Sequence, residues 1–147
     1  MLVVDDLKLS RAVLKDLFDA KFEIIEAENG RKALEVLDAN VDDIAIILLD
    51  MIMPEMAGDE FLMEKNKRDA ARNIPVVIIS AEKDPDIQLN MLRLGVNDYI
   101  TKPFDNGITE QRVENVLEYN SRFHKLIEEY RNVIAQQEGE IQNLETT

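Results

Sequence analysis

Residues 44–50, Ile-Ala-Ile-Ile-Leu-Leu-Asp, decide the fold. Six consecutive apolar residues, without the alternation of a half-exposed strand, are typical of a strand covered on both faces in a parallel sheet. Residues 76–79, Val-Val-Ile-Ile, follow Pro75 and form a second uninterrupted apolar run. Asp50 directly follows the first run, so its carboxylate is expected where a buried strand reaches the surface. Both runs predict a central sheet with helices on each side.

Strand-like and helix-like segments alternate around this stretch. Strands are predicted at residues 2–4, 23–27, 44–49, 76–79 and 98–101, and the helices between them at 9–20, 31–38, 58–69 and 86–94. Asn29-Gly30 marks a turn, and Gly95 ends the fourth helix. This alternation predicts an α/β fold with a doubly wound, five-stranded parallel sheet, right-handed crossovers and the flavodoxin-like order 2-1-3-4-5.

The last part of the chain differs in character. Between residues 109 and 144 there is no proline and only one glycine, Gly139, which predicts one long helix. The chain is therefore expected to have two parts. Residues 1–108 form an α/β core, and residues 109–147 form the last helix of that core, extended into a connector.

Mostly apolar residues recur every seven positions along this helix. One column is Val113, Asn120, Ile127, Ile134 and Ile141, and the other is Val116, Phe123, Tyr130, Gln137 and Leu144. Such a stripe favours a parallel coiled coil, and hence a homodimer, in which Asn120 fixes the register. The alternative is that only the first half packs as the last helix of the core while the rest frays. Gly139, His124 and the polar Gln137 support that alternative.

Composition excludes several classes of partner. The 147 residues carry a formal net charge of -13, from 30 acidic and 17 basic residues, so nucleic acids and anionic lipids are repelled and protein partners are expected. The absence of cysteine rules out disulfides and thiolate metal sites. The longest apolar run is too short to cross a membrane, and no basic leader precedes an apolar stretch. We expect a soluble, cytoplasmic protein.

Polar side chains follow the predicted strands at their carboxyl ends, where open α/β sheets bind ligands. Asp5 and Asp6 follow strand 1, Asp50 follows strand 3, and Ser80 and Lys102 lie at the ends of strands 4 and 5. Three neighbouring carboxylates repel one another unless a cation intervenes, and oxygen ligands without histidine or cysteine favour Mg²⁺ or Mn²⁺. With such a metal, the lysine and serine suit phosphoryl transfer to Asp50.

These residues belong to a recognisable pattern. Asp5-Asp6, Asp50-Met51-Ile52-Met53-Pro54 with Gly58 after it, Ser80-Ala81 and Lys102-Pro103-Phe104 resemble, in order and spacing, the receiver domain of bacterial response regulators. The resemblance covers roughly residues 1–120, which include the whole α/β part and the start of the long helix.

The resemblance implies a phosphorylation switch. Asp50 would accept a phosphoryl group from the phosphohistidine of a sensor histidine kinase. Asp6, Asp50 and the backbone carbonyl of Ile52 would bind Mg²⁺, and Asp5 would act mainly through water. Autocatalysed self-phosphorylation would be the only reaction of this chain, so any effector activity would lie in a possible domain following residue 147.

The resemblance also assigns roles around the phosphoryl group. Lys102, Ser80 and the backbone of Ala81 would contact it, Ser80 and Tyr99 would act as the switch, and the Lys102-Pro103 peptide bond would be cis. From the residues alone, Ser80 could instead cap the following helix, and Tyr99 could be a half-buried packing residue.

Two other functions compete with this interpretation. A Mg²⁺-dependent phosphohydrolase of the haloacid dehalogenase type also uses an aspartate at a strand end, but it needs a second acid two residues later, where this chain has Ile52. A degenerate receiver would serve only as a dimerisation scaffold, and the full set of site residues is evidence against it.

Overall fold

Five parallel strands form one sheet in the order β2-β1-β3-β4-β5, which confirms the predicted topology. The structure is a computed structural model, and it describes residues 1–146. The strands are β1 Leu2–Val4, β2 Ile25–Ala27, β3 Ile47–Leu49, β4 Val76–Ser80 and β5 Asp98–Thr101. The α-helices are α1 Lys8–Phe18, α2 Gly30–Asn40, α3 Gly58–Asn66, α4 Pro85–Arg93 and α5 Asn106–Thr146, and a 3-10 helix at Val41–Asp43 follows α2.

Helices cover both faces of the sheet, as the apolar runs predict. Successive side chains of a strand point to opposite faces, so Leu48 packs with α1 and α5, whereas Ile47 and Leu49 pack with α2, α3 and α4. Phe61 of α3 is fully buried on one face, and Val113 of α5 is fully buried on the other. This two-sided core holds the carboxyl ends of the strands at one edge.

Two strands are shorter than predicted. The expected ranges 23–27 and 44–49 become Ile25–Ala27 and Ile47–Leu49. Both strands pair with β1, which has only three residues, and the register aligns its first residue, Leu2, with the first residue of each neighbour. Each ladder with β1 therefore has three residue pairs, fewer than the apolar runs predict.

Helix boundaries follow local capping. The Asn29 side chain accepts a hydrogen bond from the Lys32 amide and starts α2 at Gly30, one residue earlier than predicted. Asp84 caps α4, which begins at Pro85, so Ser80 is not the cap of that helix. Gly95 adopts a positive φ of 94° just after α4, which explains why this helix ends there.

The long helix α5 is continuous over 41 residues. It begins at Asn106 rather than at 109, because the Asp105 carboxylate accepts a hydrogen bond from the Ile108 amide at 2.9 Å. Its first turns pack on the sheet through Val113 and Val116, and many of the apolar side chains beyond Asn120 are exposed. No helix within residues 1–146 is both long enough and apolar enough to span a membrane.

Candidate functional site

Three carboxylates converge at the carboxyl ends of β1 and β3. The Asp50 amide donates to the Val4 carbonyl at 2.9 Å, which fixes the residue after β3 beside the end of β1. Oxygens of Asp5, Asp6 and Asp50 all lie within 4.8 Å of one another. Asp5 and Asp50 are buried, and Asp6 is exposed. The three predicted acidic residues therefore form one cluster, open to solvent on the Asp6 side.

Lys102 reaches this cluster from the end of β5. Its backbone amide donates to the Ser80 carbonyl at 2.9 Å, and its Nζ lies 2.7 Å from Asp5 Oδ2 and 3.7 Å from Asp50 Oδ2. The other Asp5 oxygen accepts a hydrogen bond from the Leu7 amide at 2.9 Å. Both oxygens of Asp5 are thus engaged within the protein, an arrangement that suits an indirect role toward a metal.

Burial raises the pKa of Asp50 above the ordinary value of an aspartate. The Ser80 hydroxyl and the Lys102 ammonium oppose this rise, whereas the charge of Asp5 adds to it. The ionised form of Asp50 is therefore costly in the metal-free protein. A divalent cation in the acidic cluster would relieve that cost, which makes the cluster a fitting place for Mg²⁺.

The loop between β3 and α3 carries Ile52, two residues after Asp50. The Ile52 amide donates to Asp50 Oδ1 at 3.3 Å, and Ile52 as a residue is 59% exposed. Met51 and Met53 are buried in the core, and Met56 packs against it. The methionines therefore fill space around the site.

Ser80 and Tyr99 both form hydrogen bonds with the backbone of Glu82. Ser80 is fully buried at the end of β4, and its Oγ accepts a hydrogen bond from the Glu82 amide at 3.3 Å. The Tyr99 hydroxyl donates to the Glu82 carbonyl at 2.8 Å. Burial raises the pKa of Tyr99, so this hydroxyl stays a neutral donor. The structure thus links the two predicted switch residues through the segment after Ala81.

Two further features stand near Lys102 and Asp5. The Lys102-Pro103 peptide bond is cis, as predicted. Arg11, which sequence reasoning missed, donates from Nη1 to the Asp5 carbonyl oxygen at 2.8 Å and pairs with Glu26. An arginine six residues after the acid, on the first helix, is the only signal that could have indicated this support.

Comparison with known proteins decides the family. The family model described as the response regulator receiver domain matches residues 1–114. The chain belongs to the response regulator receiver family. It is therefore a receiver domain of two-component signal transduction, and the haloacid dehalogenase alternative is not favoured.

Two relatives support this family assignment. Chemotaxis protein CheY1 of Helicobacter pylori is 34% identical over 122 residues, which are 82% of this chain and 98% of that protein. Histidine kinase P4 of Formosa agariphila is 37% identical over 123 residues, which are 83% of this chain but only 9% of the kinase. The similarity therefore extends over nearly all of one relative and over a small part of the other.

One similar solved structure is relevant to the metal site because its complex includes Mg²⁺. The Borrelia burgdorferi complex of CheX, CheY, BeF₃ and Mg²⁺ matches with a TM-score of 0.74 and 32% identity, covering 78% of this chain and 86% of that one. Receiver domains bind Mg²⁺ at an acidic pocket, and Asp5, Asp6 and Asp50 form such a pocket here.

Proposed function

We propose that Asp50 is the phosphoacceptor of this receiver, and that Asp6, Asp50 and the backbone carbonyl of Ile52 hold Mg²⁺ or Mn²⁺, with Asp5 acting through water. One observation carries the proposal. Asp50 is a buried carboxylate at a strand end that faces both the acidic cluster, within 4.8 Å, and the Lys102 ammonium, at 3.7 Å. A nucleophile, a cation site and a fixed positive charge are the groups that phosphoryl transfer needs.

The reaction transfers a phosphoryl group from nitrogen to oxygen. An Asp50 oxygen attacks the phosphorus of a phosphohistidine, the P–N bond breaks, and an aspartyl phosphate forms. A divalent ion held by Asp6, Asp50 and the backbone carbonyl of Ile52 would supply positive charge to the phosphoryl oxygens. Lys102 turns from Asp5 toward the phosphoryl group, and the Ser80 hydroxyl and the Ala81 amide donate hydrogen bonds to it.

The switch follows from the shared contact with Glu82. When Ser80 turns toward the phosphoryl group, its hydrogen bond from the Glu82 amide, 3.3 Å long in this structure, is released. The Tyr99 hydroxyl, bonded to the Glu82 carbonyl at 2.8 Å, moves with that segment. Phosphorylation of Asp50 thereby changes the surface around α4 and β5.

The phosphodonor is a sensor histidine kinase, the partner with which receiver domains interact. An apolar surface next to Lys102 supports a docking site there. Leu9 and Val13 of α1 are 77% and 40% exposed, and together with Phe104 they line one groove that reaches Lys102. A helical partner with an apolar face would cover this groove and bring its phosphohistidine to Asp50.

The extension of α5 makes the chain a parallel homodimer. Phe123, Tyr130, Ile141 and Leu144, all on the predicted stripe, are 50%, 67%, 55% and 77% exposed, and Leu126 beside it is 64% exposed. A second copy of the helix would bury this stripe, with Asn120 setting the register. We propose that this extension of α5 connects the receiver to an effector domain. The protein acts in the cytoplasm.

Sedimentation tests the homodimer. The full chain should sediment as a dimer, and a chain truncated after Glu118 should sediment as a monomer or a far weaker dimer. A monomeric full chain at high concentration would refute this part of the proposal.

Stoichiometry tests the reaction. With Mg²⁺ and acetyl phosphate, each chain should take up a single phosphoryl group, and a generic phosphate ester should not be turned over. Continuous release of phosphate from such an ester would instead support a hydrolase. A chain that binds no Mg²⁺ and takes no phosphoryl group would be a degenerate receiver.

A further inference from the structure

The turn before α2 lies against the loop that carries Ile52. The Gly30 amide donates to the Met56 carbonyl at 3.2 Å. A Cβ at Gly30 would stand 2.5 Å from that carbonyl oxygen and 2.7 Å from Met56 Cγ, closer than real side chains approach. The first residue of α2 therefore touches the backbone of the loop in a way that only glycine permits.

Asn29 adds a second contact with the same loop. It is only 6% exposed, and its Oδ1 caps α2 at the Lys32 amide. Its Nδ2 donates to Glu55 Oε2 at 3.4 Å. Glu55 has a φ of 64°, a left-handed conformation that is unfavourable for a residue with a side chain. Asn29 and Gly30 thus hold two consecutive loop residues, one of which is strained.

The other end of the loop is fixed at Gly58. Its amide donates to the Met51 carbonyl at 3.1 Å, and a Cβ there would stand 2.7 Å from the Asp50 carbonyl oxygen. Ile52 lies between these two attachments. Its position relative to Asp50 therefore depends on contacts made by the β2–α2 turn and by Gly58.

We propose that Asn29 and Gly30 are positioning residues that hold the loop so that the Ile52 carbonyl faces the metal site. The inference deepens the proposed function and rests on it. Mg²⁺ demands near-ideal octahedral geometry, so a carbonyl ligand on a loose loop would bind it poorly. Groups behind the ligands of a metal site commonly change its affinity by 10-fold or more when they are altered.

Mg²⁺ titration of the full chain by calorimetry, without phosphodonor, tests the role of Gly30. Gly30→Ala should weaken Mg²⁺ binding about tenfold. Labelling by acetyl phosphate should recover toward the wild-type rate once Mg²⁺ is saturating. Gly139→Ala is the matched control, because a Cβ there meets nothing within 4 Å, and it should bind Mg²⁺ like the wild type.

A second variant separates positioning from simple destabilisation. Asn29→Ser keeps a capping hydroxyl for α2 but removes the amide donor to Glu55, so it should weaken Mg²⁺ binding less than Gly30→Ala does. In metal-free protein, the amides of Ile52 and Met56 should exchange with solvent faster in both variants. If Gly30→Ala does not fold, weaker Mg²⁺ binding by Asn29→Ser than by the wild type supports the positioning role, and binding equal to the wild type overturns it.

The outcomes distinguish the two proposals. A lower melting temperature with unchanged Mg²⁺ affinity and unchanged exchange at Ile52 would overturn the positioning role while leaving the proposed function intact. A wild-type protein that binds no Mg²⁺ would overturn the proposed function itself.

Discussion

Replacing Lys102 by methionine tests the electrostatics of the site. The Lys102 Nζ lies 2.7 Å from Asp5 and 3.7 Å from Asp50, and the side chains of these two acids are only 2% and 8% exposed. Lys102→Met keeps most of the aliphatic side chain but removes the positive charge. Two buried carboxylates would then face each other without a cation in the metal-free protein.

The expected loss of stability can be worked out from these distances. At an effective dielectric of about 20, unit charges 3.7 Å apart attract by roughly 4 kcal/mol. Removing one partner of a buried ion pair costs about 3–5 kcal/mol, because the other charge stays buried. Lys102 is itself 20% exposed, so we expect a loss of about 3 kcal/mol and a fall in melting temperature of roughly 6–12 °C.

Thermal unfolding followed by circular dichroism, in buffer with a chelator, measures this loss. Lys67→Met is the matched control, because the Lys67 side chain in its pair with Glu64 is 71% exposed, and such a solvent-screened pair should contribute little to stability. Mg²⁺ should then stabilise Lys102→Met more than the wild type, since the metal replaces the lost charge. A metal-free melting temperature equal to that of Lys67→Met would refute the reasoning.

Three further predictions concern single residues. Burial lowers the pKa of Lys65 from 10.5 to about 8, so wild-type stability should rise between pH 8 and 10.5, where only the unfolded state keeps the proton. Lys65→Met should stabilise the protein at pH 7 by on the order of 2 kcal/mol, a net value that includes the cost of losing the hydrogen bond from Lys65 to the Arg72 carbonyl. A lower melting temperature of the variant would contradict this. Ile52→Asn should shorten the lifetime of the aspartyl phosphate by holding a water near Asp50. Decay of the phosphoprotein is measured after removal of the donor, with Mg²⁺ constant, and an unchanged or slower decay in the variant would contradict this. Asp6→Ala should abolish Mg²⁺ binding in calorimetry, and an unchanged affinity would exclude Asp6 as a ligand.

The fold and the members of the site could be predicted because both depend on where strands end. The apolar run at 44–49 predicts a strand buried on both faces, and the topology then brings Asp50 beside Asp5. Lys102 and Ser80 follow by the same rule. Each residue could be placed from one local pattern and one general property of parallel sheets.

The contacts between side chains could not be predicted in the same way. The pairing of Lys102 with Asp5 depends on a distance of 2.7 Å across the sheet, which strand order alone does not determine. Asn29-Gly30 has the sequence signature of an ordinary turn, and only the packing of Met56 against it shows why glycine is required there. The start of β3 also differs from the apolar run, because the strand begins only at Ile47, where it aligns with Leu2 of β1 and with Val76 of β4.

Intact-mass analysis after incubation with acetyl phosphate and Mg²⁺ tests the assignment of Asp50 most directly. The wild type should gain one phosphoryl group, located on Asp50 by peptide mapping, and Asp50→Asn should gain none. An added phosphoryl group on Asp50→Asn, or a wild-type label on another residue, would contradict the account.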